Sequence, residues 1–536
     1  MFSKVATFEK DAAMFTSTGV TRNALMQSGM KVVRSNGRQI LLVARDEHVF
    51  ATANRCPHEG YPLSEGTLGP GCVLTCNWHN WKFDLQSGEA LVGRDPVRTY
   101  GVEIRNGEIF IDLTDLPAES LKMRALKGLD TAVSDVDLAR MARETARLEQ
   151  AGFDARVAVA HALAARNDFL EGGMTHAQAA AADWLALGER ARRPEERLAA
   201  FLEPIYHVAW DSQGTKAFPY TAGVEPWNPE SYVAAIEAED ETTAVALIRG
   251  AIADHIPYAQ LRPAIGEAAL AHYADFGHCA IYTFKTGQLI EMLGDGIAEP
   301  LLLALTRMLS LATREERLPE FRGYGKALAE SDSSGQEPAR AADFVGLSVD
   351  GALKRTVASS GRPVRELFDA LVGAAAWNFL HFDTAVMHAA DNQFADNISW
   401  LDFTHAFTFA NASRQLCEDR PHLWPHAALQ LALFIGRNRK YVRPQEDVVR
   451  WSVNDRTEFL SREMRALYDH GIPEPIISCH RLKVLFALES ELNVSPDAPW
   501  AGDMLGAVNR YLHTPMKRHH SLRTAGQALD FVAKER

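Results

Sequence analysis

The sequence lacks the long apolar runs and the cysteine density that mark two large classes of protein. No segment approaches the roughly 18 uninterrupted apolar residues that suggest a membrane-spanning helix. The N-terminus has no apolar stretch behind a charged start, as a secretory signal would have. Six cysteines in 536 residues give no disulfide framework and fit a reducing compartment. We therefore expect a cytoplasmic protein with no membrane partner.

Positive charge and nucleotide-binding loops are also scarce. The formal net charge is −13, and no stretch interleaves basic with aromatic residues as nucleic-acid grooves do, so we expect no nucleic-acid partner. No Gly-x-Gly-x-x-Gly follows a predicted strand, and no Gly-x-x-x-x-Gly-Lys-(Ser/Thr) occurs. Because a Gly-x-Ser-x-Gly elbow is absent too, hydrolase chemistry has no support.

The length and the residue pattern of the first part predict a small β domain. A chain of 536 residues exceeds what one hydrophobic core usually organises, so two or more domains are expected. Residues 1–115 alternate apolar and polar side chains in short runs, which predicts β-strands. Asn36-Gly37 and Asn106-Gly107 separate such runs and predict tight hairpin turns.

Beyond Pro117 the pattern changes to long Ala- and Leu-rich stretches with helical spacing. Residues 116–145 are rich in charge and are predicted to form a junction, with Ser134-Asp135 ahead of a helical run. A polar loop is predicted at residues 331–338. The predicted fold class is thus multidomain, with an all-β domain at 1–115 and a large all-α domain at 146–536 that contains internal helical repeats.

The strongest chemical signal lies in the first domain. Cys56-Pro-His58 is followed, after 17 residues, by Cys76-Asn-Trp-His79. Two short loops therefore each supply one thiolate and one imidazole. Such a set binds either zinc or a [2Fe–2S] cluster with two thiolates on one iron and two imidazoles on the other.

The sequence around both loops resembles Rieske ferredoxins and the Rieske domains of ring-hydroxylating oxygenases. The similarity extends over residues 54–63 and 76–84 and the following Ser87-Gly88, and this flanking pattern favours the cluster over zinc. The resemblance implies a Rieske [2Fe–2S] cluster that carries single electrons and is held by Cys56, His58, Cys76 and His79.

Four positions distinguish this chain within that family. The respiratory-chain type of Rieske protein carries an extra cysteine in each loop, where this chain has Tyr61 and Trp78. The resemblance therefore implies the soluble, disulfide-free type. Glu59 stands where oxygenases often carry a basic residue, and Asn80 stands where a glycine is usual.

The helical domain carries a repeated pattern of its own. Asp275-Phe-Gly-His278 and Asp402-Phe-Thr-His405 share Asp-Phe-x-His, and a histidine lies 23 or 24 residues upstream of each. A weaker third copy, Gly173-Met-Thr-His176, lacks the aspartate. Asp and His three residues apart share one helix face, so two such pairs could converge as paired Glu-x-x-His motifs do in di-iron bundles. We therefore predict a non-haem iron site formed by His255, Asp275, His278, His381, Asp402 and His405.

Two alternatives remain open for these residues. Asp and His at this spacing also form buried hydrogen-bonded pairs that only fix helix packing. The two-histidine, one-carboxylate iron site of typical Rieske oxygenases would require His381 and His388 with Asp391 or Asp402, but the histidines are too far apart and their surroundings are helical. Seven other histidines of the helical domain are weaker candidates for metal ligands, and we call them the reserve histidines: His161, His176, His207, His272, His422, His426 and His480.

Fusion of an electron carrier to a helical domain suggests that the electrons are used nearby, because fusion raises the effective concentration of donor for acceptor. The leading hypothesis is an oxidoreductase whose cluster feeds a non-haem iron oxygenase site that acts on a small organic substrate. The alternatives are an electron-transfer protein whose helical domain docks a separate enzyme, and a reductase with haem or another cofactor in that domain. Since no nucleotide-binding motif occurs, electrons are expected from an external reductase or ferredoxin. The sequence assigns no catalytic residue.

Overall fold

The computed structural model describes residues 15–418 and 420–535. The chain divides between Leu121 and Lys122 into two compact units. The first is built mainly of strands and the second of helices, which confirms the predicted fold class.

The first unit contains three small sheets in which every pairing is antiparallel. The sheets have the strand orders β1-β11-β10, β2-β3-β4-β9 and β5-β6-β7-β8. One short helix, α1 (Arg22–Ser28), accompanies them. The strands are β1 (Phe15–Thr21), β2 (Met30–Ser35), β3 (Arg38–Arg45), β4 (His48–Ala53), β5 (Thr67–Leu68), β6 (Val73–Thr75), β7 (Lys82–Asp84), β8 (Ala90–Val92), β9 (Thr99–Tyr100), β10 (Val102–Arg105) and β11 (Glu108–Asp112).

Both predicted hairpin turns are confirmed. Asn36 and Gly37 join β2 to β3 with φ of 46° and 73°, and Asn106 and Gly107 join β10 to β11 with φ of 50° and 82°. Two consecutive left-handed residues match the twist of the paired strands, and Asn-Gly tolerates that conformation best.

Strand β3 separates the two cores of this unit, because successive side chains of a strand point to opposite faces. Ile40 and Leu42 face one apolar core. Leu41 and Val43 face the other, which also contains Cys56 and the second predicted cysteine ligand, Cys76.

The described residues of the second unit form helices that are joined by turns, short 3₁₀ segments and irregular loops. Helix α2 (Ala118–Ser134) begins before the division at Leu121 and continues into the second unit. The helices that follow it are α3 (Leu138–Gln150), α4 (Arg156–Ala165), α5 (His176–Glu189), α6 (Pro194–Asp211), α7 (Pro229–Glu237), α8 (Glu241–Ala253), α9 (Tyr258–Ala271), α10 (His278–Leu293), α11 (Ala298–Leu311), α12 (Tyr324–Glu330), α13 (Val349–Ala358), α14 (Val364–Leu380), α15 (Thr384–His388), α16 (Trp400–Glu418), α17 (Trp424–Asn438), α18 (Arg456–Ala466), α19 (Pro475–Val494), α20 (Ala501–His513) and α21 (Ser521–Lys534).

The predicted junction at residues 116–145 is corrected by the structure, which places α2 and the start of α3 there. Leu129 and Val133 of α2 are buried, so helical packing outweighs the charged composition of the segment. The helix start also lies later than predicted. Asp137, rather than Ser134-Asp135, caps α3 by accepting a hydrogen bond from the Arg140 N–H (3.0 Å). The predicted loop at 331–338 is confirmed, because α12 ends at Glu330.

One stretch of the described chain, Asp295–Arg317, is long and apolar enough to cross a membrane. It contains α11, and 72% of its most apolar window is buried within the protein. The core helix of a globular protein has the same properties, so this stretch is weak support for a membrane span.

Candidate metal centres

The two cysteine- and histidine-bearing loops of the first unit share one backbone design. The Cys56 N–H donates to the Tyr61 carbonyl (2.9 Å), and the Gly60 N–H donates back to the Cys56 carbonyl (2.8 Å). In the second loop, the Cys76 N–H donates to the carbonyl five residues ahead (2.7 Å), and the Asn80 N–H donates to the Cys76 carbonyl (3.0 Å). Each cysteine therefore begins a tight turn that is closed by its own backbone.

The fifth residue of each loop is left-handed, with φ of 72° at Gly60 and 60° at Asn80. Asparagine is one of the few residues with a side chain that enters this region readily. This explains how Asn80 replaces the glycine that is usual in the family.

The four predicted ligands fit a [2Fe–2S] cluster. Cys56 and Cys76 are 3% and 1% exposed, and the ring centroids of His58 and His79 lie 4.8 Å apart. The Nδ1 atom of His58 is buried and has no hydrogen-bond partner among the described residues. A buried, unpaired ring nitrogen with two buried thiols is a donor set that suits this cluster.

Burial, with the neighbouring Cys76 thiol, raises the pKa of Cys56 to about 11. Iron must therefore displace the thiol proton when it binds.

Aromatic rings hold the two loops in place. The His58 ring stacks on Trp81, with centroids 4.7 Å apart and an interplanar angle of 11°. Trp81 lies against Gly93, where a Cβ atom would come within 2.4 Å of the indole ring. Tyr61 and Trp78, which occupy the positions of the two additional respiratory-type cysteines, stack at 5.7 Å and 12°. Ring stacking thus links the loops where that type has a disulfide.

Glu59 brings a negative charge to the solvent-facing side of this site. One carboxylate oxygen lies 3.8 Å from His58 Nε2 and the other lies 3.8 Å from His79 Nδ1. The side chain is 55% exposed, so water screens its charge only in part.

A second cluster of imidazoles lies inside the helical unit. Helices α5, α10, α16 and α19 pack in a closed ring, each against the next. Each contributes one histidine. His176 and His278 are the first residues of α5 and α10, whereas His405 and His480 are the sixth residues of α16 and α19. We call these four residues the histidine cluster.

The Nε2 atoms of the histidine cluster approach one another closely. The His176 and His278 Nε2 atoms are 3.2 Å apart, and those of His405 and His480 are 3.1 Å apart. One ligand nitrogen each of His176, His405 and His480 lies within 4.8 Å of the other two. Two nitrogens bound to one metal at about 2.1 Å lie roughly 3.0 to 3.4 Å apart, depending on the bond angle. The observed spacing therefore suits ligands of a single ion.

The other ring nitrogens determine the tautomers. Nδ1 of His278 lies 2.6 Å from the Asp275 carbonyl oxygen. Nδ1 of His405 lies 2.6 Å from the Leu401 carbonyl, and Nδ1 of His480 lies 2.6 Å from the Ile476 carbonyl. Because a carbonyl only accepts, each of these Nδ1 atoms must carry the proton. In a neutral imidazole, Nε2 is then an unprotonated acceptor.

This assignment leaves the lone pairs of His405 and His480 facing each other at 3.1 Å. Two acceptors at that distance repel unless a proton or a cation lies between them. Protonation is disfavoured here. Burial first, and then neighbouring imidazoles and Lys483, hold the pKa values of His176, His405 and His480 well below the usual range. Burial also lowers the pKa of His278. The arrangement thus favours a bound metal cation.

His176 differs from the other three because its Nδ1 faces a side chain, the Tyr282 hydroxyl, at 3.0 Å. Tyr282 is buried, and burial raises the pKa of its hydroxyl well above the usual range. Lys483 completes the surroundings. Burial lowers its pKa, and its Nζ atom has no hydrogen-bond partner within the described part of the chain.

Unusual backbone precedes one of these histidines, His278. Asp275, Phe276 and Gly277 all have positive φ, of 46°, 53° and 79°. Left-handed backbone is rare for a bulky residue such as Phe276. The turn presents the Asp275 carbonyl to His278, and a Cβ atom at Gly277 would lie 2.8 Å from the Phe409 ring. His176 follows Thr175, which caps α5 in a capping box.

The structure brings together two of the six residues predicted for the iron site, His278 and His405. His255 lies outside the cluster, in an exposed turn between α8 and α9. His381 also lies outside it. The His381 ring stacks on Trp377 at 4.1 Å, and its Nδ1 atom bonds to the Trp377 carbonyl.

The two aspartates also lie differently than predicted. Asp275 precedes its helix, with its carboxylate 49% exposed and 3.5 Å from His278 Nδ1. Asp402 is helical, but its carboxylate accepts from the Ser399 N–H (2.9 Å) and faces Arg437 (3.6 Å). Only His278 and His405 of the predicted set join the cluster.

The two members that the predicted set missed, His176 and His480, were among the reserve histidines. His176 ends the weaker third copy of the repeat, so that copy was a usable signal. His480 has no such pattern, but its Nδ1 meets the carbonyl four residues earlier, as His405 does. The other reserve histidines pair elsewhere: His161 with Asp130, His207 with Asp211, His272 with Glu315 and Glu237, His422 with Glu267, and His426 with Tyr324.

A cavity of about 140 Å³ borders the histidine cluster. Its polar edge is formed by Asp402 and Arg437, and the Arg437 guanidinium also lies 4.9 Å from the centre of the Phe276 ring. The full lining is Tyr273, Phe276, His278, Leu401, Asp402, His405, Phe434 and Arg437. A small organic molecule there would touch two imidazoles of the cluster.

Comparison with known proteins concerns the first domain. The family described as "Rieske [2Fe-2S] domain" matches residues 19–101. The 3-phenylpropionate/cinnamic acid dioxygenase ferredoxin subunit of Photorhabdus laumondii is 35% identical over 78 residues, which are 14% of this chain and 74% of that protein. The subunit of the same name from Escherichia coli K12 is 38% identical over 68 residues, 12% of this chain and 64% of the relative.

Solved structures with similarity include two proteins of Nocardioides aromaticivorans IC177. The ferredoxin of carbazole 1,9a-dioxygenase aligns at 24% identity and a TM-score of 0.18, covering 19% of this chain and 98% of the ferredoxin. The terminal oxygenase of the same system aligns at 26% identity and a TM-score of 0.16, covering 16% of this chain and 27% of the oxygenase. The family match leaves residues 102–536, and with them the histidine cluster, outside it.

Proposed function

Because this chain belongs to the Rieske [2Fe–2S] family through its first domain, we propose that it is an oxidoreductase with two metal centres. The Rieske domain accepts single electrons from an external reductase or ferredoxin and delivers them to a non-haem iron site at the histidine cluster. That site oxygenates a small organic substrate. The dioxygenase ferredoxin subunits among the relatives support a role in such a system.

The observation that carries this proposal is the opposition of unprotonated nitrogens in the histidine cluster. Three of the four imidazoles give their single proton to a backbone carbonyl. The Nε2 lone pairs of two of them, His405 and His480, therefore face each other at 3.1 Å with no donor between them. A purely structural histidine pair would instead place an N–H against a lone pair. The cluster is therefore built as a cation site.

Iron is the preferred ion on chemical grounds. Imidazole ligands suit zinc, copper, iron and nickel, but zinc has no redox chemistry. A domain that carries single electrons can deliver them only to a redox-active acceptor. When bound, iron would supply dioxygen activation and one-electron chemistry.

The protein's own residues hold and shape this site. Backbone carbonyls fix the tautomers of His278, His405 and His480. The Tyr282 hydroxyl holds Nδ1 of His176, and burial keeps the imidazoles neutral. In the adjoining cavity, Tyr273, Phe276 and Phe434 offer aromatic contacts, while Arg437 offers a charged donor. At about 140 Å³ the cavity is smaller than most small-molecule sites, but its lining offers both apolar and polar contacts to a small organic substrate.

The proposal is tested by the fate of electrons stored on the cluster. The full chain is reduced, freed of excess reductant and mixed with oxygenated buffer, and the Rieske EPR signal of the reduced cluster is followed in time. We expect the signal to decay faster in the wild type than in His405→Ala. His255→Asn, which changes an exposed histidine outside the cluster, serves as the control and should decay like the wild type.

Equal decay in all three proteins would contradict the proposal. It would favour the alternative in which the chain only transfers electrons and the helical domain docks a separate enzyme.

A further inference from the structure

A second and larger cavity lies in the helical unit away from the histidine cluster. Its volume is about 530 Å³, within the roughly 300 to 1,000 Å³ range of small-molecule sites. The cavity is formed by the end of α5, the following loop and the start of α6, by α18 and by the end of α19. We call it the arginine cavity after Arg190, Arg192, Arg456 and Arg465, which line it.

One side of the arginine cavity is apolar. Leu187, Met464 and Leu492 are buried within the helical core, with relative exposures of 1%, 6% and 4%. Leu460 of α18 adds a fourth apolar side chain at 9% exposure. This side favours a ligand with a hydrocarbon body.

The polar side carries a surplus of positive charge. Four arginines line the cavity with two glutamates, and both glutamates are already engaged. Glu489 accepts two hydrogen bonds from Arg190 (2.9 and 2.8 Å). Glu196 accepts from the backbone N–H groups of Arg192 and Arg193 and from the Arg193 side chain (3.0, 3.2 and 2.9 Å).

The remaining guanidinium groups are available. In the described residues, the side chains of Arg192 and Arg465 form neither a hydrogen bond nor an ion pair, and both residues are exposed. Arg456 donates one bond to the Pro496 carbonyl (2.7 Å). Unpaired guanidinium groups are well suited to carboxylate and phosphate oxygens, because their N–H donors match two oxygens at once.

We propose that the arginine cavity binds an amphipathic anion, that is, an apolar chain or ring that ends in a carboxylate or phosphate group. The apolar body lies against Leu187, Leu460 and Met464, and the anionic end meets Arg192 and Arg465. A neutral or cationic ligand of the same shape lacks this second contact. Neither of these contacts requires a metal at the histidine cluster.

Isothermal titration of the full chain tests it with three probes that share a ten-carbon tail: decanoate, 1-decanol and decyltrimethylammonium. Decyl phosphate, as a fourth probe, distinguishes a carboxylate site from a phosphate site. We expect decanoate or decyl phosphate to bind at least tenfold more tightly than decanol, and the cation to bind most weakly.

The matched variants are Arg192→Gln/Arg465→Gln and Arg462→Gln. Arg462 lies on the same helix as Arg465, is 56% exposed, pairs with Glu463 (2.8 Å) and does not line the cavity. The double variant should bind the anion about tenfold more weakly, from two largely exposed charge contacts, and Arg462→Gln should bind like the wild type. Unchanged melting temperature and Rieske EPR signal would show that each variant is folded.

Equal affinity for decanoate and decanol would overturn the proposal. So would an equal loss of affinity in the double variant and in Arg462→Gln.

Discussion

Replacing Tyr282 by phenylalanine separates the metal-positioning role of one hydroxyl from its role in stability. The hydroxyl lies 3.0 Å from Nδ1 of His176, whereas the Nδ1 atoms of His278, His405 and His480 each lie 2.6 Å from a backbone carbonyl. Phenylalanine keeps the ring and removes this contact. Nδ1 of His176, a buried ring nitrogen, then loses its hydrogen-bond partner.

The magnitude follows from the contact that is lost. Leaving a buried polar group unpaired costs about 1 to 3 kcal/mol, which corresponds to roughly 5- to 150-fold in an equilibrium constant at about 1.4 kcal/mol per tenfold. Loss of a hydrogen bond to a metal-binding imidazole typically costs about 10- to 100-fold in metal affinity. We therefore expect Tyr282→Phe to bind iron(II) at the histidine cluster about 10- to 100-fold more weakly.

The assay is equilibrium competition with an iron(II) chelator under anaerobic conditions, on the full chain with its [2Fe–2S] cluster intact. Tyr232→Phe is the matched control. Tyr232 is also buried, but its hydroxyl bonds to Thr306 Oγ1 (3.1 Å), which does not belong to the histidine cluster. The control should lose stability but keep its iron affinity. Unchanged affinity in Tyr282→Phe, or the same loss in both variants, would show that the hydroxyl does not position His176 for the metal.

Three further perturbations have calculable outcomes. Glu59→Gln should raise the cluster's reduction potential by at least about 30 mV in a protein-film voltammogram. Even in water a unit charge about 6 Å away contributes ~0.7 kcal/mol, at about 59 mV per tenfold for one electron, and partial screening makes the shift larger; no shift would contradict an electrostatic role. Burial lowers the pKa of His207 to about 3, below the usual 6.5, so stability is retained above pH 6.5 and lost as the pH falls towards 3. In urea unfolding, His207→Asn should therefore reduce the loss of unfolding free energy between pH 7 and pH 5 by about 2 kcal/mol, and an unchanged loss would contradict burial as its cause. Asn80→Ala should destabilise the Rieske domain by about 1 kcal/mol while Asn80→Gly does not, because Asn80 is left-handed; equal melting temperatures would disprove this.

The first domain could be predicted almost entirely from sequence because its signals are local. Asn36-Gly37 forces a hairpin through the conformations of two adjacent residues, and each ligand loop carries its cysteine and histidine within four positions. The stacking of Tyr61 on Trp78 was not predictable, because the two residues come from different loops.

The histidine cluster was only half predicted because its members are up to 304 positions apart in sequence, from His176 to His480. The Asp-Phe-x-His repeat identified His278 and His405, but it predicts a shared ligand face only if both aspartates are helical. Asp275 instead lies in a left-handed turn, so its backbone carbonyl rather than its carboxylate contacts the imidazole. Tertiary packing of four helices determines the cluster, and periodicity along one helix does not reveal it.

Iron analysis of three purified proteins tests the second metal centre most directly. With a Rieske cluster of two irons and one further ion, the wild type should contain about three irons per chain. Cys56→Ser/Cys76→Ser should retain about one, and His405→Ala/His480→Ala should retain about two with an intact Rieske EPR signal. Two irons in the wild type, and none after the cysteine substitutions, would contradict a metal centre at the histidine cluster.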